Sequence, residues 1–316
     1  MVESRINAPS QMLDIVIPIY NDAPYLEKSL NSIFKQELID GWGFHVYVVD
    51  DGSDIPVKVD VPKDKAHIVS IIRLDENSGC SIARNKGAFA GEGEVLLFLD
   101  ADCSFAHENV LALLLEQYSA GFDVCFGQIN VVGAGFWATY QNNVSRERCF
   151  RFKQGDKSSL TTAIFMARRR LFEEVCGFDE AYHFGFEDRD LFITLVEHGA
   201  KACLVEEALV NHNDEISLIS VTQKLFRSGS ISSVRFIQKH PEEYRRMGYA
   251  RADVRYSKGG VKLLAFFTKP LVIPIVNLLD RVLKKEWLPF FLAKKMVKYI
   301  SGLAYLQGTY SAVRKR

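Results

Sequence analysis

Between Val95 and Leu99 the chain reads Val-Leu-Leu-Phe-Leu and then stops at Asp100-Ala101-Asp102. Five consecutive apolar residues without polar relief fit a strand covered on both faces, as in the middle of a mostly parallel sheet. In an open α/β sheet, ligands lie outside the carboxyl ends of the strands. The two acids that end the run therefore fall where a ligand is expected. In extended backbone, residues i and i+2 face the same side, so Asp100 and Asp102 can engage one metal ion or two hydroxyls together. Taken alone, Asp-x-Asp is more often a strand-end turn, because aspartate is a common turn residue. The rest of the chain shifts that balance.

The flanking segments alternate between strand and helix patterns. Leu13–Tyr20 reads as a first strand, with Pro18 marking its end. Asn21 or Asp22 can cap the helix that follows, with Pro24 in its first turn and Leu26, Leu30, Ile33 and Phe34 on one face. Phe44–Val49 is a second strand that runs into Asp50-Asp51-Gly52-Ser53, and Ile68–Leu74 is a third. Asn77–Ser81 leads into a helix carrying Ala83, Arg84 and Asn85. After the central strand come a helix over Val110–Tyr118 and a strand over Val124–Val131. This rhythm argues for right-handed βαβ units. From Gly133 to Ser159 the pattern breaks into a mixture of Gly, aromatic and Arg residues, expected to be irregular and mobile. Regular structure resumes at Leu160–Ala167, followed by Arg168-Arg169-Arg170 and a short helix. Gly185-Phe186-Glu187-Asp188 opens a helix through Val196. Ala202–Val205 and Ala208–Asn211 read as two short strands, with His212 next.

With 316 residues and 48% apolar content, the chain is long enough for one large α/β domain and an appendage. Lys plus Arg and Asp plus Glu are equal at 39 each, which gives no support for a nucleic-acid binder. The six cysteines are scattered without a C-x-x-C pair and read as reduced thiols of a cytoplasmic protein rather than a zinc site or disulfide framework. Residues 1–11 form a polar tail without the apolar core of a signal peptide.

Three acidic clusters thus stand at strand or helix ends: Asp50/Asp51, Asp100/Asp102 and Glu187/Asp188. Acids crowded on one rim repel unless a cation or donor lies among them. Oxygen ligands suit Mg²⁺ or Mn²⁺, and a metal held by one or two carboxylates completes its shell with water and phosphate oxygens. That points to a nucleoside diphosphate as leaving group. Neither G-x-x-x-x-G-K-[ST] nor G-x-G-x-x-G occurs, so phosphate charge falls to the metal and to basic side chains such as Arg84.

Five motifs in order, Val16–Asn21, Val49–Ser53, Asn77–Gly79 with Ala83–Asn85, Leu99–Asp102 and Gly185–Leu191, resemble the family 2 glycosyltransferases over about Met12 to Arg235. The resemblance implies the GT-A nucleotide-diphospho-sugar transferase fold, a Rossmann-like mostly parallel sheet flanked by helices, over 12–235, with a helical, amphipathic region at 236–316. It implies an inverting, metal-dependent transfer from a nucleotide-sugar donor, UDP-linked in the commoner case, to a glycan or lipid-linked acceptor in polysaccharide or envelope glycan biosynthesis. Pro18, Tyr20, Asn21, Asp50, Asp51 and Asn77 would surround the nucleoside, with Arg84 and Asn85 shaping its pocket. Asp100 and Ala101 would approach ribose or sugar hydroxyls. Asp102 would bind Mn²⁺ or Mg²⁺, joined by His212. Of Glu187 and Asp188 one is the base, with Asp188 favoured. The resemblance also puts Arg168-Arg169-Arg170 on the floor of the acceptor side.

Bland readings stand beside these: Asp50 as a turn cap, Glu187 paired with an arginine, His212 as a surface residue between Asn211 and Asn213. A sugar nucleotidyltransferase would carry a Gly-rich basic loop where this chain has Tyr20-Asn21-Asp22-Ala23-Pro24. A non-catalytic sugar-nucleotide scaffold would not need Asp102 and Glu187-Asp188.

After Gly259, apolar pieces alternate with Lys and Arg. Lys262, Lys269, Asp280 and Arg281 are expected to keep any apolar run short of the ~20 residues that span a bilayer. Peripheral contact with an anionic membrane, at its cytoplasmic face, is one reading. A helical cap or homo-oligomer surface is the other.

Overall fold

The computed structural model describes residues 9–156, 159, 163–213, 216–257 and 259–314. Most of the N-terminal tail, Leu160 and Lys258 lie outside them.

The central strand β4 (Val95–Leu99) is wholly buried, and its two faces feed different cores. Val95, Leu97 and Leu99 pack with Leu13, Ile15 and Ile17 of β1 (Gln11–Ile19), under α1 (Ala23–Ile33) and α3 (Val110–Ser119). Leu96 and Phe98 turn the other way, to Ala83 and Ala88 of α2 (Cys80–Ala90) and Leu191 and Leu195 of α6 (Glu187–Glu197). A period of two on a strand sandwiched by helices is why the run tolerates no polar residue.

β2 (Trp42–Asp50), β3 (Val69–Arg73), β5 (Cys103–Phe105), β6 (Val124–Asn130), β7 (Ile164–Arg168) and β8 (Ala202–His212) complete an eight-stranded sheet in the order β3-β2-β1-β4-β7-β6-β8-β5. β1 pairs in parallel with both β2 and β4. The chain order therefore reverses between β1 and β4, and their carboxyl ends flank a crevice at the switch point. Pro18 lies beyond Val16, the last β1 residue in register with β4. The sheet is mixed, however: β7 runs antiparallel between β4 and β6, and β5 antiparallel to β8.

Two expectations are corrected here. The stretch 133–159 is mostly helix, α4 (Phe136–Lys153). Its apolar residues do not fall in one stripe because α4 is a bridge: Phe152 packs on the sheet side, while Phe136, Trp137 and Tyr140 meet the C-terminal helices. The two short strands at 202–211 are one strand, β8, with a register shift opposite Gly127, whose Cβ would lie 2.0 Å from the Ala208 carbonyl oxygen.

After β7 comes α5 (Arg169–Glu174), and after β8 come α7 (Leu218–Arg227), α8 (Ser233–Lys239), α9 (Pro241–Arg246), α10 (Gly259–Lys284) and α11 (Phe290–Arg314). Leu218, Val276, Leu279, Val297 and Ile300 form a core with Phe136 of α4. Phe236, Tyr244 and Tyr305 enclose Tyr182, Phe186 and Ile193 around the start of α6. The expectation that charges break every long apolar run also fails. Lys269 is the one charged residue between Leu263 and Leu279, and α10 is long and apolar enough to cross a membrane by length and composition, with 17% of the window buried.

Candidate active site

The ends of β1 and β2 are tied together by their own polar side chains. Asp50 closes β2 and accepts the N–H groups of Ser53 (2.9 Å) and Val57 (3.1 Å) and the guanidinium of Arg73. Burial pushes its carboxyl up, but these donors outweigh burial and hold it below the usual carboxylate range. Asp51 accepts Ser78 N–H at 2.8 Å and Gly79 N–H at 2.9 Å, fixing the loop into α2. For Asp51 burial prevails over those bonds and its carboxyl is raised. Gly52 follows Asp51 at φ +70°, where a Cβ would fall 2.3 Å from the backbone of Glu76. Asn21, at φ 59°, gives its N–H to Ser53 Oγ (3.0 Å) and exchanges side-chain bonds with Asp54. The turn-capping reading of Asp50 is therefore what its carboxylate does, and both oxygens of each acid are occupied by the protein. Tyr20 and Asn77 are exposed on the same rim.

Arg84 is central to the rest. It is 5% exposed on α2, over the ring of Phe178. Its Nη2 donates to Asp100 at 2.8 Å, just past β4, and Nη1 lies 3.5 Å from Glu187 Oε1. Burial disfavours its charge, but the carboxyl groups of Asp100 and Glu187 more than compensate, so the guanidinium stays protonated. Nε of Arg84 and Oε2 of Glu187 are buried without a hydrogen-bond partner among the described residues. Buried polar atoms are nearly always partnered, so an orphan donor and an orphan acceptor in one cluster mark a place built for something else. Asn85 is turned away, bonded to both the N–H and the carbonyl of Phe178, and so fixes the loop beneath Arg84.

Glu187 and Asp188 begin α6, and the residue before them is strained. Phe186 adopts φ 74°, rare for a bulky side chain and costing on the order of 1–3 kcal/mol. Its ring is held among Phe236, Tyr244 and Tyr249. The two acids have different surroundings. Burial, then the neighbouring Asp188 charge, raises the Glu187 carboxyl against the pull of Arg84. Asp188 is half-buried and accepts Arg189 N–H at 2.8 Å. The third acid of the motif, Asp190, points elsewhere and binds His240 Nε2 (2.8 Å) and Lys239 (2.7 Å).

Asp102 and His212, separate by 110 positions in sequence, meet through strand pairing: Cys103 of β5 is opposite His212 of β8. Asp102 Oδ2 lies 3.2 Å from His212 Nε2, each side chain about one-fifth exposed. Asn213 clamps the Asp102 carbonyl through two bonds of 2.8 and 3.0 Å. Cys103 also lies within the cluster, but burial, then the nearby aspartates, raises its thiol well above its ordinary value. One carboxylate and one imidazole, partly open to solvent, are a donor set that a hard divalent ion accepts while keeping positions for water and phosphate oxygens.

Arg168, Arg169 and Arg170 are not near these acids. Arg168 pairs with Val95, at the opposite end of β4 from Asp100, roughly 16 Å away at ~3.3 Å per residue. Arg168 binds Asp123, Arg169 binds Asp14 and Arg170 binds Glu174. The expected acceptor-side floor is thus overturned, because β7 runs antiparallel to β4. Two residues enter the site without having been anticipated. Arg73 braces Asp50, and Cys80 donates to Glu187 Oε1 at 3.4 Å, with its thiol pushed up to about 12 by burial and by Glu187. Only Arg73, a basic residue closing a strand beside an acidic strand end, carried a sequence signal.

A solved structure with this architecture is that of the mannosyltransferase PcManGT from Pyrobaculum calidifontis in complex with GDP-Man and Mn2+; it matches with a TM-score of 0.55 and 16% identity over 95% of this chain and 88% of that one. The fold is GT-A, with a helical C-terminal extension. The sequence model described as "Glycosyl transferase family 2" matches residues 14–176, about half of the chain, and the protein belongs to that family of glycosyltransferases. The pre-mycofactocin glycosyltransferase of Mycobacterium tuberculosis is 27% identical over 244 residues, 72% of this chain and 48% of that protein. Glycosyltransferase AglE of Haloferax volcanii is 35% identical over 125 residues, 37% of this chain and 39% of that one. The chain spans half or less of the length of these curated relatives.

Proposed function

We propose that the protein transfers a sugar, with inversion, from a nucleoside diphosphate donor, UDP-linked, to a hydroxyl of a glycan or lipid-linked acceptor. The observation that carries this reading is the convergence on one rim of the Asp102–His212 pair, 3.2 Å apart, and the Arg84–Asp100–Glu187 cluster. Asp102 and His212 would hold Mn²⁺ or Mg²⁺, and such an ion supplies positive charge to the departing diphosphate when bound. Arg84 adds a second positive charge inside a buried setting, and Asp100, oriented by it, accepts hydrogen bonds from donor hydroxyls.

Asp188 takes the proton of the acceptor hydroxyl as its oxygen bonds to the anomeric carbon. The bond from that carbon to the diphosphate breaks on the opposite face, and the electron pair leaves with the nucleoside diphosphate. One displacement inverts the centre. Glu187, raised by burial, keeps its proton more readily and serves to bind a hydroxyl. Two adjacent carboxyls in different environments are suited to such a division of roles.

The exposed face of α10, with Phe266, Phe267, Leu271 and Leu278, is bordered by Lys262, Lys284 and Lys285. Ala265, Val276, Leu279 and Leu283 on its other side are buried against the protein. A helix docked on one side and apolar on the other supports lying on an anionic membrane surface. Liposome sedimentation tests this: the protein should pellet with anionic vesicles, and a supernatant fraction with anionic and neutral lipids alike would sink it. For the transfer reaction, the test is calorimetry with UDP and Mn²⁺. Asp102→Ala should lose metal-dependent nucleotide binding with its circular dichroism spectrum retained; unchanged affinity would remove Asp102 from the metal site.

A further inference from the structure

Helices α7, α10 and α11 enclose an open groove of about 990 Å³, at the upper end of the roughly 300–1,000 Å³ usual for ligand sites. Its floor is apolar, with Val272 and Val276 of α10 and Ala304 of α11. Its width is set by backbone contact. Gly308 of α11 lies so close to α7 that a Cβ would stand 2.3 Å from the Phe226 carbonyl oxygen, and one on Gly229 would stand 2.7 Å from that of Tyr305. Gln307 ties the other wall, donating to the Ala265 carbonyl (2.7 Å) and Thr268 Oγ1 (2.9 Å) of α10.

The polar lining has one sign of charge. Lys224, Arg227, Lys269 and Arg314 all line the groove, with no Asp or Glu among the described lining residues. None of these four cations forms an ion pair with a described residue, although the chain as a whole has as many acids as bases. Arg84, Arg235 and Lys239, by contrast, each have a carboxylate partner. An apolar trough whose described charged lining is all cationic is complementary to a molecule with an apolar chain and an anionic end.

The groove also reaches the segment that leads into the acid pair. Phe184, three residues before Glu187, lines it, and Arg227 stacks over the Phe184 ring at 5.2 Å. The 184–185 segment is fixed to the end of α7. Ser232 Oγ donates to the Phe184 carbonyl at 2.5 Å, and Gly185, at φ +79°, packs against Ser228.

We propose that this groove is the acceptor site, and that the acceptor is a lipid whose single long apolar chain lies between α10 and α11 while its phosphate is held by Arg227 and Lys224. The assignment deepens the transferase reading above and rests on it for the word acceptor; the binding itself does not. The lipid phosphate would place the group attached to it beside the Phe184–Asp188 turn.

The test is calorimetry on the full chain with dodecyl phosphate below its micelle concentration, without donor. Dodecanol and inorganic phosphate are the controls. Dodecyl phosphate should bind at least tenfold more tightly than dodecanol, and inorganic phosphate should give no heat in the same range. The exposed double variant Lys224→Glu/Arg227→Glu should weaken dodecyl phosphate by tenfold or more. Asn277→Trp, which fills the trough from α10 without touching the cations, should weaken dodecyl phosphate and dodecanol alike. Equal affinity for dodecanol overturns the phosphate contact, and equal affinity for inorganic phosphate overturns the chain site. Sedimentation with phosphatidylglycerol vesicles without dodecyl phosphate binding would mean that the surface meets a bilayer and the groove assignment is wrong. UDP–Mn²⁺ binding by the same preparation reports separately on the transferase reading: its absence would sink the donor site while leaving the dodecyl phosphate result to stand.

Discussion

Arg84→Met tests the electrostatic centre of the site. The change keeps much of the side chain's length but leaves Glu187, 11% exposed, without the guanidinium 3.5 Å from its Oε1. At an effective dielectric of about 20, unit charges 3.5 Å apart interact by roughly 5 kcal/mol, which is a ceiling. Glu187 lowers that ceiling because it can take a proton instead of remaining an unpaired buried charge. Asp100 adds little, since it is one-third exposed and hydrated when unpaired. Breaking a buried pair costs about 3–5 kcal/mol, and the lower end is expected here at pH 8. The pH dependence is the sharper signature. Burial raises the folded-state carboxyl of Glu187, so its contribution to stability is full below the unfolded carboxyl value and falls as pH rises through the folded one. Removing Arg84 raises that carboxyl further and extends the falling range upward, by at most ~1.4 kcal/mol per pH unit. The variant should therefore lose more stability at pH 8 than at pH 5. Urea unfolding followed by circular dichroism measures both. Adding Glu187→Gln should recover about 1–3 kcal/mol of the loss at pH 8. Equal losses at the two pH values, or additive single and double variants, would refute the coupling.

Asp188→Asn should bind UDP and Mn²⁺ as the parent does and lose transfer by roughly a hundredfold or more; near-normal turnover would pass the base role to Glu187. Gly308→Ala should destabilise by about 1–3 kcal/mol in the same urea assay, because the new Cβ meets main chain that cannot swing aside; an unchanged midpoint would mean that α7 and α11 are free to separate.

The class of fold was legible in local pattern. The Val95–Leu99 run requires cover on both faces, and that requirement is physical wherever the strand is placed. The acids at strand ends, Asp50 and Asp100, are likewise where β2 and β4 stop, and a shared rim follows because both run parallel to β1 between them. What each acid does there is not local. Asp50 and Asp51 differ by one position, yet the donors around Asp50 outweigh its burial and those around Asp51 do not. The backbone amides responsible arrive from loops, and the arginine from the end of β3, which strand pairing sets beside Asp50.

The direction of β7 also had to come from tertiary structure. A short apolar run such as Ile164–Ala167 has the same pattern read either way, and the antiparallel insertion of β7 carries Arg168–Arg170 to the end of the sheet opposite Asp100. The helix α4 was hidden for a different reason: it packs on the sheet and on the C-terminal helices at once, so no single apolar stripe marks it. Sequence by itself determined a buried strand ending in Asp-x-Asp and the residue types a diphosphate and a divalent ion call for. Tertiary structure alone decided that His212 stands 3.2 Å from Asp102 and that Arg84 is wedged between Asp100 and Glu187, because both arrangements depend on which strands and helices become neighbours.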